Sequence, residues 1–197
     1  MRTTNTVHAE RARAAEAHAN EAKAEPQPWA EGVYALFKTH HVDVVSYVPD
    51  GGHKRLIARC QMDPDLHTVV LTTEEEGVAL AAGAFLGGKR SVLLMQSSGV
   101  GNCVNMLSLP QVCNIPLLTL VTMRGEWGEF NAWQVPMGQS TPTILEASGV
   151  IVYRVNRPEE VCSTVEAGIL FAFQSRRRVA VLLSQKVIGA KNFAGGN

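Results

Sequence analysis

Three adjacent carboxylates, Glu74, Glu75 and Glu76, follow the apolar segment HTVVL and open the run EEEGVALAAGAFL. On a helix such neighbours point about 100° apart, so one of the three turns inward while the others stay in water. An inward carboxylate held away from solvent can accept or hold a proton. Outward ones do no more than complement the positive end of the helix dipole. Three further stretches carry polar groups where chain turns are expected. PDGGHKR (49–55) puts Asp50 and two glycines in a tight turn and then presents His53, Lys54 and Arg55 at a helix start, where free N–H groups favour anions. MQSSGVGNCVN (95–105) brings Gln96, Ser97, Ser98, Asn102 and Asn105 around a GxGN arrangement. These hydroxyls and amides suit polar recognition of a heterocycle or a carboxylate. The fourth, MRGEWGEFNAWQVPMGQSTP (123–142), is irregular and sets Trp127, Phe130 and Trp133 among glycines. Such aromatic residues form either a substrate wall or a subunit interface, and the interface carries the greater weight because aromatics are enriched there.

Several chemistries are excluded by spacing. There is no GxGxxG and no Walker sequence to cradle phosphate. There is no GxSxG elbow, and His67 is the last histidine, which leaves no late general base for a serine hydrolase. Cys60, Cys103, Cys113 and Cys162 are scattered without CxxC or Cys/His ligand spacing. They read as small buried or half-buried hydrophobes in a reducing compartment, with no metal site.

The elements that must position these residues are visible as alternating apolar blocks. Trp29, Val33, Leu36, Phe37 and His40 fall at helical spacing before VDVVSYVPD (42–50). Leu56, Ile57 and Cys60 mark a helix before HTVVL (67–71), and Val78, Ala81, Ala82 and Phe85 mark another that ends at Gly87-Gly88. SVLLMQ, PLLTLVTM, VIVYRV and RVAVLLS read as buried strands, with helices around 102–109, 141–147 and 158–174 between them. Continuous apolar strands each followed by a helix predict a doubly wound, mostly parallel α/β sheet of six strands with helices on both faces. In such a sheet, ligands bind beyond the carboxyl ends of the strands, where the four polar stretches fall.

The chain has 197 residues, 46% hydrophobic and 18% charged, with 18 basic residues balancing 18 acidic ones. Balanced and sparse charge gives no footprint for nucleic acid or an anionic membrane. No window is apolar enough for a spanning helix and no secretory signal precedes the domain, so a soluble cytoplasmic protein is expected. Residues 1–28 are rich in Ala, Glu and Arg and read as a flexible arm, 29–187 as the domain, and 188–197 as a tail.

Taken together, TEEEGVALAAGAFLGGKR, LLMQSSGVGNCVN, IPLLTLVTMRGEWGE and QVPMGQSTP resemble the pyrimidine-binding domain of thiamine-diphosphate-dependent 2-oxoacid decarboxylases. The likeness is closest to the alpha subunits of sulfopyruvate decarboxylases, with phosphonopyruvate decarboxylases next, and it spans roughly 29–185. In that family a glutamate on the helix after the second strand bonds N1′ of the cofactor's aminopyrimidine, favouring the tautomer that takes the proton from thiazolium C2. Counting back nine positions from Gly83 carries the role to Glu74, with Glu75 the alternative if the register slips by one. The resemblance further implies cofactor contacts from Gln96, Ser97 and Asn102, and substrate contacts from Asp50, His53, Ser98 and Arg124. It implies thiamine diphosphate as cofactor, with the diphosphate bound through Mg2+ on a second domain that carries a GDG sequence. No GDG occurs in this chain, so a beta subunit with that diphosphate-binding domain is the expected partner, alongside self-association and a small anionic 2-oxoacid substrate. The implied reaction is decarboxylation of 3-sulfopyruvate to sulfoacetaldehyde, of the kind used in coenzyme M biosynthesis. A phosphonopyruvate decarboxylase subunit and a catalytically silent regulatory homologue are the alternatives.

Overall fold

The computed structural model describes residues 27–189. Almost all of the arm expected over 1–28 and of the tail expected over 188–197 lies outside the described residues. The sheet has six strands, β1 Val44–Tyr47, β2 His67–Val70, β3 Ser91–Gln96, β4 Leu117–Thr122, β5 Ile151–Val155 and β6 Arg178–Leu183, in the order β2-β1-β3-β4-β6-β5. Every pairing is parallel, as the unbroken apolar strands required.

The helices are α1 Trp29–Thr39, α2 Lys54–Gln61, α3 Glu74–Leu86, α4 Ser97–Cys103, α5 Ser108–Val112, α6 Val135–Ala147, α7 Val161–Gln174 and α8 Gln185–Ile188. Alternation along the strands assigns them to two faces. Val92, Leu94, Leu118, Leu120, Val179 and Val181 pack with Val33 and Phe37 of α1, Leu56 of α2 and Val165 and Ile169 of α7. Leu93, Met95, Leu117, Val121, Ala180 and Leu182 pack with Val78 of α3, Val100 of α4 and Leu145 of α6. Period-2 side-chain placement on a central strand thus feeds two separate cores, which defines the doubly wound sandwich. Among the described residues no helix is long and apolar enough to cross a membrane.

Three local expectations are corrected. The glycine-rich segment after β3 is not an open turn: the chain goes helical at Ser97, and α4 and the short α5 replace one helix over 102–109. The helix expected over 141–147 begins at Val135, with Pro136 in its first turn, where a missing N–H costs nothing. Cys113 is exposed, whereas Cys60 and Cys103 are buried and Cys162 is half-buried. Burial pushes the Cys60 and Cys103 thiols up to about 12, so neither is a ready nucleophile.

Candidate active site

The strand order reverses between β1 and β3, the place where a doubly wound sheet opens a crevice at its carboxyl end. Asp50, three residues past β1, reaches over the end of β3: its Oδ2 accepts the Thr122 hydroxyl at 2.5 Å on β4 and the Gly52 N–H at 3.1 Å. A Cβ at Gly52 would overlap Thr122 and Asp50, so the turn closes this tightly only with glycine there.

At the neighbouring corner α3 starts, and its three carboxylates separate by role. Glu76 folds back to accept the Thr72 N–H at 2.8 Å, satisfying a backbone donor just ahead of the helix start. Glu75 is exposed. Glu74 is 8% exposed and turns inward, where its Oε2 accepts from Asn102 Nδ2 at 2.8 Å. Behind it Gly77 meets Leu93 and Leu71 without room for a side chain, which lets the first turn of α3 lie close against the sheet.

The expected site residues divide into two groups. Glu74 and Asn102 are in direct contact, and Gln96 and Ser98 are half-buried at the end of β3 and the start of α4. Ser97 is fully buried. Its Oγ accepts the Arg124 N–H at 3.1 Å and its carbonyl takes the Thr141 hydroxyl at 3.3 Å, so it ties β3 to the β4 exit and to α6. His53 does not present itself to solvent: it is fully buried, stacked edge-on to Trp29 at 6.5 Å between ring centroids. Its Nε2–H donates to the Leu120 carbonyl at 3.1 Å, and among the described residues its Nδ1 has no hydrogen-bond partner. Burial pushes its pKa down, outweighing the nearby Asp50 charge.

Arg124 likewise turns inward. Its guanidinium holds Glu129 in a two-pronged pair, Nε at 2.8 Å and Nη2 at 3.0 Å. Glu129 also accepts N–H groups of Gly125 at 3.2 Å and Asn131 at 3.0 Å, and the Gln185 side-chain amide at 2.9 Å. Gln185 in turn takes the N–H groups of Glu126 and Trp127, and Glu126 pairs with Arg154 at 2.6 Å. This clasp locks the loop after β4, which carries Trp127, Phe130 and Trp133 at 52%, 55% and 86% exposure. Two glycines complete it: Gly125 has φ +72°, and a Cβ on Gly138 would overlap the Arg124 carbonyl. Glu129, Gln185 and Thr122 were not singled out in the sequence. Gln185 lies 56 residues from Glu129, and no local spacing signals that contact.

Chemically, the carboxyl end of the sheet offers, among the described residues, one buried carboxylate, Glu74, bonded by the neutral Asn102 amide at the start of α3, and a second polar pair, Asp50 with Thr122, at the ends of β1 and β4. Among the described residues no group of three or more His, Cys, Asp or Glu side chains is placed to hold a metal ion.

Residues 29–143 match the family described as thiamine pyrophosphate enzyme, N-terminal TPP binding domain. The chain is 34% identical over 155 residues to the sulfopyruvate decarboxylase subunit alpha of Methanococcus maripaludis, covering 78% of this chain and 93% of that one. It is 37% identical to the corresponding subunit of Methanothermobacter thermautotrophicus, covering 78% and 94%. Against the sulfopyruvate decarboxylase of Methanosarcina acetivorans the identity is 35%, over 80% of this chain but only 40% of the relative. Among solved structures, 2-oxoglutarate:ferredoxin oxidoreductase from Magnetococcus marinus superposes with a TM-score of 0.66 at 18% identity, covering 81% of this chain and 29% of that one. At that identity the likeness is one of fold.

Proposed function

The chain belongs to the thiamine pyrophosphate enzymes, as their N-terminal TPP-binding domain, and from that premise we propose that it is the alpha subunit of a decarboxylase converting 3-sulfopyruvate to sulfoacetaldehyde and carbon dioxide. The observation that carries the proposal is Glu74: a carboxylate nearly closed off from water at the carboxyl end of a doubly wound sheet, bonded among the described residues by one neutral amide and by no cation. A residue that only complemented a helix dipole would sit in water, as Glu75 does.

The donor set fits the aminopyrimidine half of thiamine diphosphate. Glu74 would hold the proton at the pyrimidine ring nitrogen, Gln96 would line that side, and Ser97 and Asn102 would fix the wall behind it. Asp50 and Ser98 would face the substrate. His53 and Arg124 would support that wall from within, because the one is sealed under Leu120 and the other is neutralised by Glu129. Bound thiamine diphosphate supplies an electron-accepting thiazolium for the electrons released as carbon dioxide leaves.

The diphosphate and its Mg2+ would be held by a beta subunit bearing the diphosphate-binding domain. Supporting this, the chain matches nearly the whole of the alpha subunits yet well under half of the Methanosarcina acetivorans protein, which leaves room there for a second domain on one chain. Trp127, Phe130 and Trp133, presented on a loop fixed by the Glu129 clasp, would form part of that subunit interface, and we place the assembly in the cytoplasm in coenzyme M biosynthesis.

The test is co-expression with a beta-type chain, followed by aldehyde assays on sulfopyruvate, phosphonopyruvate and pyruvate in parallel. Hydrogen–deuterium exchange at cofactor C2 would be measured alongside. Glu74→Gln should slow exchange by about two to four orders of magnitude, the range for a general acid–base group, while Glu75→Gln and Glu76→Gln leave it near wild type. Equal exchange in all three variants refutes the assignment, and aldehyde from phosphonopyruvate alone refutes the substrate.

A further inference from the structure

Asn102 and Gly99 stand three residues apart on α4, which places them on one helix face, and that face is turned to Glu74. A Cβ built on Gly99 would fall on the Glu74 side chain at its Cγ, its carboxyl carbon and Oε1. The carboxylate therefore lies directly over bare backbone, and only glycine leaves it that place. Asn102 Nδ2 donates to Oε2 at 2.8 Å, filling one of the roughly four lone-pair positions a carboxylate offers.

We infer that Gly99 and Asn102 form a seat whose task is to aim the Glu74 carboxylate, so that Asn102 acts as a positioning residue rather than as a direct contact of the cofactor. The inference rests on the reading of Glu74 given above. Its physical sense comes from a comparison within the same molecule. Glu129 is gripped by a guanidinium, two backbone amides and a side-chain amide, and is held well below the usual carboxylate range, at about 2. A carboxylate gripped in that way cannot take up a proton at working pH. Among the described residues Glu74 is oriented instead by one uncharged donor and by shape, so its direction is fixed by the α4 face and not by a cation.

The experiment uses the full chain, alone and assembled with the beta-type subunit. In the full chain alone, NMR of the side-chain amide of Asn102, an exposed residue, should show the proton bonded to Glu74 exchanging with solvent at least about tenfold more slowly than asparagine amides without a side-chain hydrogen bond. Glu74→Ala should abolish that protection. In the assembled enzyme, Asn102→Leu removes the donor at similar volume and should slow C2 exchange about ten- to a hundredfold, with thiamine diphosphate affinity within about threefold of wild type. Asn102→Ser, which still donates a hydrogen bond, should recover part of the loss. Gly99→Ala provides an independent arm. Alanine is the better helix former, and the atoms it displaces are the end of a flexible side chain, so the melting temperature should hold or rise while C2 exchange falls.

An unprotected Asn102 amide overturns the inference. So does an Asn102→Leu variant that loses cofactor affinity more than tenfold at unchanged exchange rate. If Glu74→Gln slows exchange but neither Asn102→Leu nor Gly99→Ala does, the seat is wrong and Glu74 stands. If Glu74→Gln itself has no effect, the assignment of Glu74 falls first.

Discussion

Glu129→Gln removes one charge from a carboxylate whose side chain is 3% exposed, and leaves the Arg124 guanidinium opposite it without a counter-charge. Burial by itself would raise the Glu129 pKa, but the Arg124 pair and the amides of Asn131 and Gly125 overcome it and hold the group at about 2, against an ordinary 4.5. A shift of that size corresponds to about 3 kcal/mol at about 1.4 kcal/mol per pH unit. Because the folded-state pKa is depressed, this stabilisation is complete above the unfolded value and disappears as pH falls from about 4.5 toward 2. Wild type should therefore exceed Glu129→Gln by about 3 kcal/mol at neutral pH, with the gap about 2 kcal/mol narrower at pH 3. Urea unfolding of both proteins across that range, with equal m-values as the check on two-state behaviour, measures it directly. A gap that stays constant between neutral pH and pH 3 would show that the clasp is not electrostatic, and a gap under about 0.5 kcal/mol would show that it is not built at all.

Four further outcomes are expected. His53 should keep its neutral, Nε2-protonated ring below the ordinary histidine value of 6.5, so ring-nitrogen NMR should place its midpoint below that value; a midpoint at or above 6.5 contradicts its burial. Acidification should destabilise the fold through His53, because the unfolded ring takes up its proton first. Gly138→Ala should cost about 1–3 kcal/mol in urea unfolding despite the better helix propensity of alanine, because its Cβ meets the immobile Arg124 carbonyl; a more stable variant would show that the helix start shifts freely. Finally, the chain purified without a beta-type subunit should release no aldehyde from sulfopyruvate, and turnover by the lone chain would refute the division of the cofactor between subunits.

The fold was largely legible because β3, β4 and β6 are unbroken apolar runs, and such runs suit only strands covered on both sides. That one of three adjacent carboxylates would turn inward was legible from helical geometry, whereas the choice of Glu74 among them rested on the family resemblance. The start of α4 was not legible. Gly99 and Gly101 read as turn residues, yet Gly99 is helical because it makes room for a side chain from another helix. The early start of α6 was hidden behind Pro136 and Gly138, which read as irregular chain, yet Pro136 falls in the first turn and Gly138 packs directly on Arg124 and Gly125. The inward turns of Arg124 and His53 depend on partners, Glu129 in a neighbouring turn and Leu120 on a central strand, that only tertiary structure supplies.

The strand that delivers Glu74 is the least secured in the sheet. β2 lies at the edge, pairs with β1 alone, and is exposed or half-exposed along its whole length, with Val70 at 60%. Four residues on, the chain enters α3 at Glu74. Edge strands with a single neighbour open by local breathing at lower free energy than central ones, so the amides of His67–Val70 should exchange before those of β3 and β4. Glu74 is therefore connected to a fast-opening margin on its β2 side and, through Asn102, to α4 at the end of the central strand β3. The time it remains in register is then set by how firmly that margin is closed, and covering β2 with another chain should slow the exchange of the His67–Val70 amides.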